Sequence, residues 1–155
     1  MVRKVGDGVD AFNTFNDILV NLFRKIMNIE EKAIITEEFK DISNNDMQII
    51  EVIGMNAPKN MSAIAKELSV TVGTLTIAIN SLVKKGYVNR VRGEVDRRVV
   101  FISLSSKGIK AYKHHEAFHK EMVKATLEGM SDVDAQVLVK ALSNLSQFFK
   151  DYKNK

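Results

Sequence analysis

The chain has 155 residues, 45% of them hydrophobic and 27% charged, which is enough for one domain with its own core. It has no Cys, so a disulfide framework and a thiolate metal site are both excluded. No uncharged apolar run approaches the roughly 18 residues of a membrane span, and no apolar segment follows the charged start MVRKVGDGVD. No membrane partner, no signal peptide and a cytoplasmic location are therefore expected.

Residues 1–9 read as a flexible extension, with Gly6 and Gly8 close together. From Asp10, a potential cap, Phe12, Phe15, Leu19, Leu22, Phe23 and Ile26 recur every three or four residues, which predicts an amphipathic helix. Residues 29–38 either continue it or form a loop, and the β-branched Ile34, Ile35 and Thr36 favour a break. Ser43 and Asp46 form a capping-box pair for the next helix, Ile42 and Met47 can staple its start, and Gly54 stops it. Residues 56–60, with the only proline at Pro58, read as a loop.

The stretch from Met61 to Leu104 predicts a short helix, a turn at Ser69-Val70, a second helix and a hairpin. Ser62 is the expected cap of the short helix, and Ile64, Ala65 and Leu68 give it one apolar face. Thr71 caps the second, with Leu75, Ile79, Leu82 and Val83 on its inner face, Lys84 and Lys85 in its last turn, and Gly86 just beyond. Residues 87–91 and 99–104 are β-rich runs around a charged tip. Ser105 then caps a long helix to about Leu127, closed by Gly129. Ser131 and Asp134 open a last helix with the stripe Val133, Val137, Leu138, Ala141, Leu142, Leu145, Phe148 and Phe149. The expected fold is thus mainly α with a small β-hairpin wing (α+β). It is a winged helix-turn-helix over residues 43–104, flanked by dimerisation helices at 10–38 and 105–155 within one domain spanning 10–155.

Charge is not spread evenly. Residues 84–110 hold eight Lys and Arg (84, 85, 90, 92, 97, 98, 107, 110) against two acids, a net +6, whereas the whole chain is only +4. Such concentration is the footprint of a phosphate-binding surface. Residues 28–51 carry seven acids against two lysines and read as a solvated acidic face, or as a patch that keeps DNA on the other side. The polar side chains left on the second helix, Thr74, Thr76 and Asn80, can touch base edges or phosphates. With Ser62, Thr71, Lys84, Arg90, Arg92, Asp96, Arg97 and Arg98 they make up the candidate DNA contacts. The first and last helices are more apolar than a small winged unit can cover. They either close a larger monomer core or pack against a second copy; the favoured reading is a two-fold homodimer, setting two reading helices about 34–36 Å apart on a pseudo-palindromic duplex.

These residues resemble the MarR family of winged helix-turn-helix regulators. The segment MSAIAKELSVTVGTLTIAINSLVKKGYVNR is similar to the family's Leu-Ala-x-x-Leu helix and polar-faced second helix, with Ile64 in place of the usual Leu. Asp96-Arg97-Arg98, followed by Leu104-Ser105 and Lys107-Gly108, resembles the family's wing. The resemblance implies that Arg97 or Arg98 enters the minor groove and that Asp96 holds the wing arginines. Within the family the chain resembles the FabT-type repressors in residues 39–43, 70–74, 86–87, 90–92, 96–100, 118–120, 122 and 129–131, with Glu30-Glu31 at the expected distance before Phe39. That likeness implies repression of fatty-acid synthesis genes, with DNA affinity modulated by a long-chain acyl-acyl carrier protein or a related acyl ligand.

The other readings are weaker. Phe12, Phe15, Leu19, Phe118, His119 and Met122 can line an acyl pocket or be plain core. His115 and His119 are four apart on one helix face, a spacing that can ligate a metal, but two ligands are an incomplete site, so neither metal nor cofactor is expected. Regulation by another small apolar ligand or a metal, or a winged protein-interaction module, are the alternatives. No Cys nucleophile or glycine-rich phosphate loop supports an enzyme.

Overall fold

The computed structural model describes residues 8–153. Its elements run α1 (Gly8–Ile34), α2 (Asn44–Ile53), β1 (Lys59–Asn60), α3 (Met61–Leu68), α4 (Val72–Lys84), β2 (Val88–Arg92), β3 (Val100–Leu104), α5 (Ser106–Leu127) and α6 (Asp132–Lys153). The winged, mainly helical architecture expected from the sequence is present. The extension expected over residues 1–9 lies outside the described residues except for its last two, which already belong to α1. α1 continues into the first half of the ambiguous stretch 29–38 and ends at Ile34, where the β-branched run begins.

The chain forms two compact units, one ending at Glu116 and the other beginning at Ala117. In the first, local rules decide the helix ends. Ser43 accepts the Asp46 N–H at 3.1 Å while the Asp46 carboxylate accepts the Ser43 N–H at 3.1 Å, so the capping box starts α2. Ile42 and Met47, the proposed staple, are both buried. α3 departs from expectation: its N-cap is Asn60, whose Oδ1 accepts the Ala63 N–H at 2.8 Å, and Ser62 lies inside the first turn. Asn60 also ends β1, a two-residue strand paired antiparallel to Phe101 and Ile102, so the wing is a three-stranded sheet of order β1-β3-β2 and not a lone hairpin. β2 and β3 pair from Val88 opposite Leu104 to Arg92 opposite Val100.

α4 ends in a Schellman turn, with Tyr87 N–H on Leu82 O at 2.9 Å and Gly86 N–H on Val83 O at 3.0 Å. Gly86 has φ +85°, which an L side chain adopts only under strain. The same turn seats α5: Ser105 donates its N–H to Tyr87 O at 2.9 Å and its hydroxyl to Gly86 O at 2.6 Å. Gly108 faces this contact, and a Cβ there would meet Tyr87 O at 2.1 Å. Around it the core gathers Ile50, Ile53, Ile64, Leu75, Ile79, Leu82, Tyr87 and Ile102, none more than 1% exposed. Val83, expected on the inner face of α4, is 39% exposed.

The second unit contains the end of α5 and all of α6. Gly129 turns between them at φ +77°, and Ser131 accepts the Asp134 N–H at 3.1 Å as the expected cap. On the α6 stripe Leu138 and Leu145 are half-buried, while Val133, Val137, Leu142, Phe148 and Phe149 are exposed. No single helix among the described residues is long and apolar enough to cross a membrane.

Candidate nucleic-acid interface

α3 and α4 meet at 107° across a short break, the geometry of a helix-turn-helix. Ser69 closes α3 in the left-handed region at φ 56°, so the turn is made by a non-glycine residue. Leu75, Ile79 and Leu82 face the core, which turns Thr74, Ile77, Asn80, Ser81 and Lys84 outward on the opposite side of α4. Ile77 stands in the middle of that face and is 75% exposed. It was not among the candidates drawn from the sequence, although helical spacing alone sets it opposite the buried stripe. An exposed apolar side chain among polar ones is suited to contact a thymine methyl in the major groove.

The polar candidates on α4 differ in what holds them. Thr71 caps the helix through the Thr74 N–H at 3.1 Å, and the two hydroxyls lie 2.9 Å apart. Thr76 donates its hydroxyl to Val72 O of its own helix at 2.7 Å and is half-buried. Asn80 is exposed, and its Oδ1 accepts from the Arg90 guanidinium at 2.6 Å, so the strand that follows orients the centre of the helix face. Ser62 and Lys84 are exposed at the start of α3 and the end of α4.

Arg92, Asp96, Arg97 and Arg98 are exposed around the wing tip. Asp96 braces this loop: its carboxylate accepts the Arg98 N–H at 2.9 Å, and its carbonyl accepts the Val99 N–H at 3.1 Å. The aspartate thus holds the backbone that carries the arginines, with Val95 fully exposed beside it.

The basic segment is less uniformly available than its net +6 suggests. Lys85 pairs with Asp46 at 2.8 Å, Lys107 with Asp41 at 3.7 Å and Lys110 with Glu38 at 3.4 Å. All three acids come from the acidic stretch before α3, so part of that stretch neutralises the back of the basic segment. Lys84, Arg90, Arg92, Arg97 and Arg98 form no ion pair among the described residues, and these five lie on α4 and the wing. Sorting by partner leaves the positive charge on the two elements that would meet a duplex.

A second network secures the wing's base. The Tyr87 hydroxyl donates to Asp41 Oδ1 at 2.5 Å, and Lys107 Nζ sits 4.1 Å from the Tyr87 ring centroid. The Tyr87 hydrogen bond, with Lys107 beside it, holds the Asp41 carboxyl below its ordinary value. Burial, and then the same carboxylate, push the Tyr87 hydroxyl above the ordinary phenolic range.

The residues considered for an apolar ligand fall in both units. Phe12 and Phe15 are 71% and 59% exposed on α1 and Leu19 is half-buried. Phe118, His119 and Met122 belong to the second unit, each half-buried.

Residues 27–115 match the family described as Transcriptional regulator SarA/Rot. The chain is 42% identical to Streptococcus pneumoniae FabT, solved in complex with DNA, with a TM-score of 0.82 over 90% of this chain and 98% of that one. It is 25% identical over 108 residues to the HTH-type transcriptional regulator YpoP of Bacillus subtilis, covering 70% of this chain and 77% of the relative. The same fold recurs at 18% identity in a S. aureus MepR mutant bound to oligodeoxyribonucleotide, with a TM-score of 0.62 over 87% of this chain and 97% of that one. The chain therefore belongs to the MarR-type winged helix-turn-helix family of DNA-binding transcriptional regulators.

Proposed function

We propose that this regulator binds a pseudo-palindromic duplex as a two-fold dimer and represses fatty-acid synthesis genes. The observation that carries the DNA-reading part is that, within the basic segment 84–110, the cations without an ion pair among the described residues all lie on α4 and the wing, flanking the outward face of Thr74, Ile77 and Asn80. In this reading Thr71, Thr74, Ile77 and Asn80 meet base edges or nearby phosphates in the major groove. Lys84, Arg90 and Arg92 meet phosphates, with Ser62 at the start of α3 beside them, and Arg97 or Arg98 enters the minor groove from a loop that Asp96 braces. Thr76 contributes less, because its hydroxyl is engaged within α4.

The target genes rest on the likeness to FabT, 42% identical over 90% of this chain. Control by a long-chain acyl-acyl carrier protein rests on the FabT-type resemblance alone. The test is fluorescence anisotropy with a duplex from a fatty-acid synthesis promoter of the source genome, against a scrambled duplex, with and without acyl-acyl carrier protein. Preference for the promoter by at least about a hundredfold is expected for specific binding, with a further gain when the acylated carrier is added. Equal binding to both duplexes overturns the repressor reading. A preference that the acylated carrier leaves unchanged overturns only the effector.

A further inference from the structure

Two of the residues that face the duplex are joined to each other. Arg90 donates from Nη2 to Asn80 Oδ1 at 2.6 Å, linking β2 to the outward face of α4 across ten residues of sequence. Regular structure fixes both ends. Asn80 follows the fully buried Ile79 on α4, and Arg90 is paired across the sheet with Ile102, which is fully buried too. Among the described residues no acid competes for the Arg90 guanidinium.

This contact settles which way the amide faces. A guanidinium carries donors and no acceptor, so the Asn80 atom that meets it is the oxygen, and the amide nitrogen is left for a ligand. That nitrogen has no hydrogen-bond partner among the described residues, and Asn80 is exposed. The hydroxyls of Thr71 and Thr74 can donate or accept, and the Thr76 hydroxyl is spent within its own helix. Asn80 differs from them in having its hydrogen-bonding sense fixed.

The sense decides the base. An asparagine that pairs with adenine needs both amide atoms, the oxygen for the N6 amino group and the nitrogen for N7. With the oxygen held by Arg90, that pairing is lost. Guanine offers acceptors at both N7 and O6 on its major-groove edge, whereas thymine has a single acceptor beside its methyl group and cytosine presents a donor. We propose that Asn80, turned by Arg90, selects guanine in the major groove by donating an amide N–H to N7 or O6, with Arg90 as the positioning residue. This selection presupposes the DNA-reading function proposed above and names a base that α4 reads. Arg90 keeps further N–H groups for a phosphate, so one side chain couples a backbone contact to a base contact. The sequence offers Asn80 and Arg90 only as separate candidates, because spacing does not show that a helix residue and a strand residue meet.

The test selects duplexes from a random-sequence pool with the full wild-type chain, with Asn80→Ala and with Arg90→Met. The wild type is expected to enrich a site containing a guanine that Asn80→Ala no longer selects, the other positions being kept. On the selected duplex, adenine in place of that guanine should weaken the wild type about tenfold or more and Asn80→Ala less than about threefold. Inosine keeps N7 and O6 and lacks only the minor-groove amino group, so it should be tolerated. Arg90→Met separates positioning from charge. Loss of a phosphate contact lowers affinity for the guanine and adenine duplexes alike, whereas a freed amide also narrows the ratio between them. Both side chains are exposed, and circular dichroism checks the fold of each variant. An Arg90→Met ratio equal to that of the wild type, adenine at the position that Asn80→Ala relaxes, no relaxed position, or rejection of inosine overturns the proposal. A wild type that enriches no sequence overturns the DNA-reading function itself, a result distinct from all of these.

Discussion

The winged part of the chain and the long helices α1 and α6 follow the same amphipathic rule with opposite outcomes. Ile50, Ile64, Ile79, Leu82 and Ile102 are all 0% exposed, whereas Phe12, Phe23 and Val133 are 71%, 68% and 69% exposed. Apart from Ile102, which sits on β3, both sets lie on the apolar faces of amphipathic helices. The winged set meets its complement within one chain. The apolar outer faces of α1 and α6 stay exposed, each within its own unit, and faces of this extent suit the proposed pairing with a second copy. On the proposed dimer this is a division of labour: one region is complete as a folded reader, and the other is completed by the second copy.

Damage to the self-sufficient region should appear as stability. Ile79→Ala removes a fully buried side chain from the inner face of α4 and should cost about 3 kcal/mol in a denaturant melt; a loss under about 1 kcal/mol would mean that this core is looser than its burial indicates. Damage to the paired region should instead appear as assembly. Phe148→Asp combined with Phe149→Asp should leave the winged fold intact by circular dichroism. It should weaken duplex binding by about a hundredfold, because each half-site is then bound alone. Wild-type affinity from a monomeric variant would break the comparison.

Within the reader the expected effects are smaller and differ in kind. Arg97→Ala and Arg98→Ala should lower affinity for all duplexes alike and flatten its dependence on salt by about one counterion each; unchanged slopes in both variants would remove the wing from the interface. Ile77→Ala should cost about 1 kcal/mol of discrimination on a duplex selected by the wild type. Replacing thymine by deoxyuridine in that duplex should weaken wild-type binding but not binding by the variant. Identical losses in both proteins would show that Ile77 does not read the methyl group.

The smallest effect concerns the wing's base. Tyr87→Phe deletes the hydrogen bond to Asp41 and should cost about 1 kcal/mol at pH 7, moderated because Asp41 is 42% exposed. Asp41 is held below its ordinary value of 3.8 chiefly by that bond, so its stabilisation is present above the unfolded value and lost as the pH falls through the lower folded one. The gap between wild type and Tyr87→Phe should therefore narrow below about pH 4; a gap constant down to pH 2 would contradict the assignment.

What could be read in the sequence was local. The Ser43–Asp46 box, the Thr71 cap and the Gly86 stop are set by neighbours within a few residues, and all three stand in the structure. Ser62 misled as the cap of α3 because Asn60 offers the same chemistry two residues earlier, at the end of a strand too short to show a β pattern. Ile77 was legible in principle from the spacing of the buried stripe. Contacts that join distant residues were not: Lys107 to Asp41, Lys110 to Glu38 and Glu30 to His115 are fixed by how helices and strands pack, and no periodicity records them. Net charge located the basic segment but could not sort its eight cations into those answered by acids and those left facing outward.

The central claim is that one reader from each of two chains engages one duplex. Sedimentation of the unmodified protein with a labelled pseudo-palindromic duplex weighs the complex directly. The account predicts two chains of 17.4 kDa per duplex with no populated one-chain complex; a saturated complex holding a single chain would contradict it.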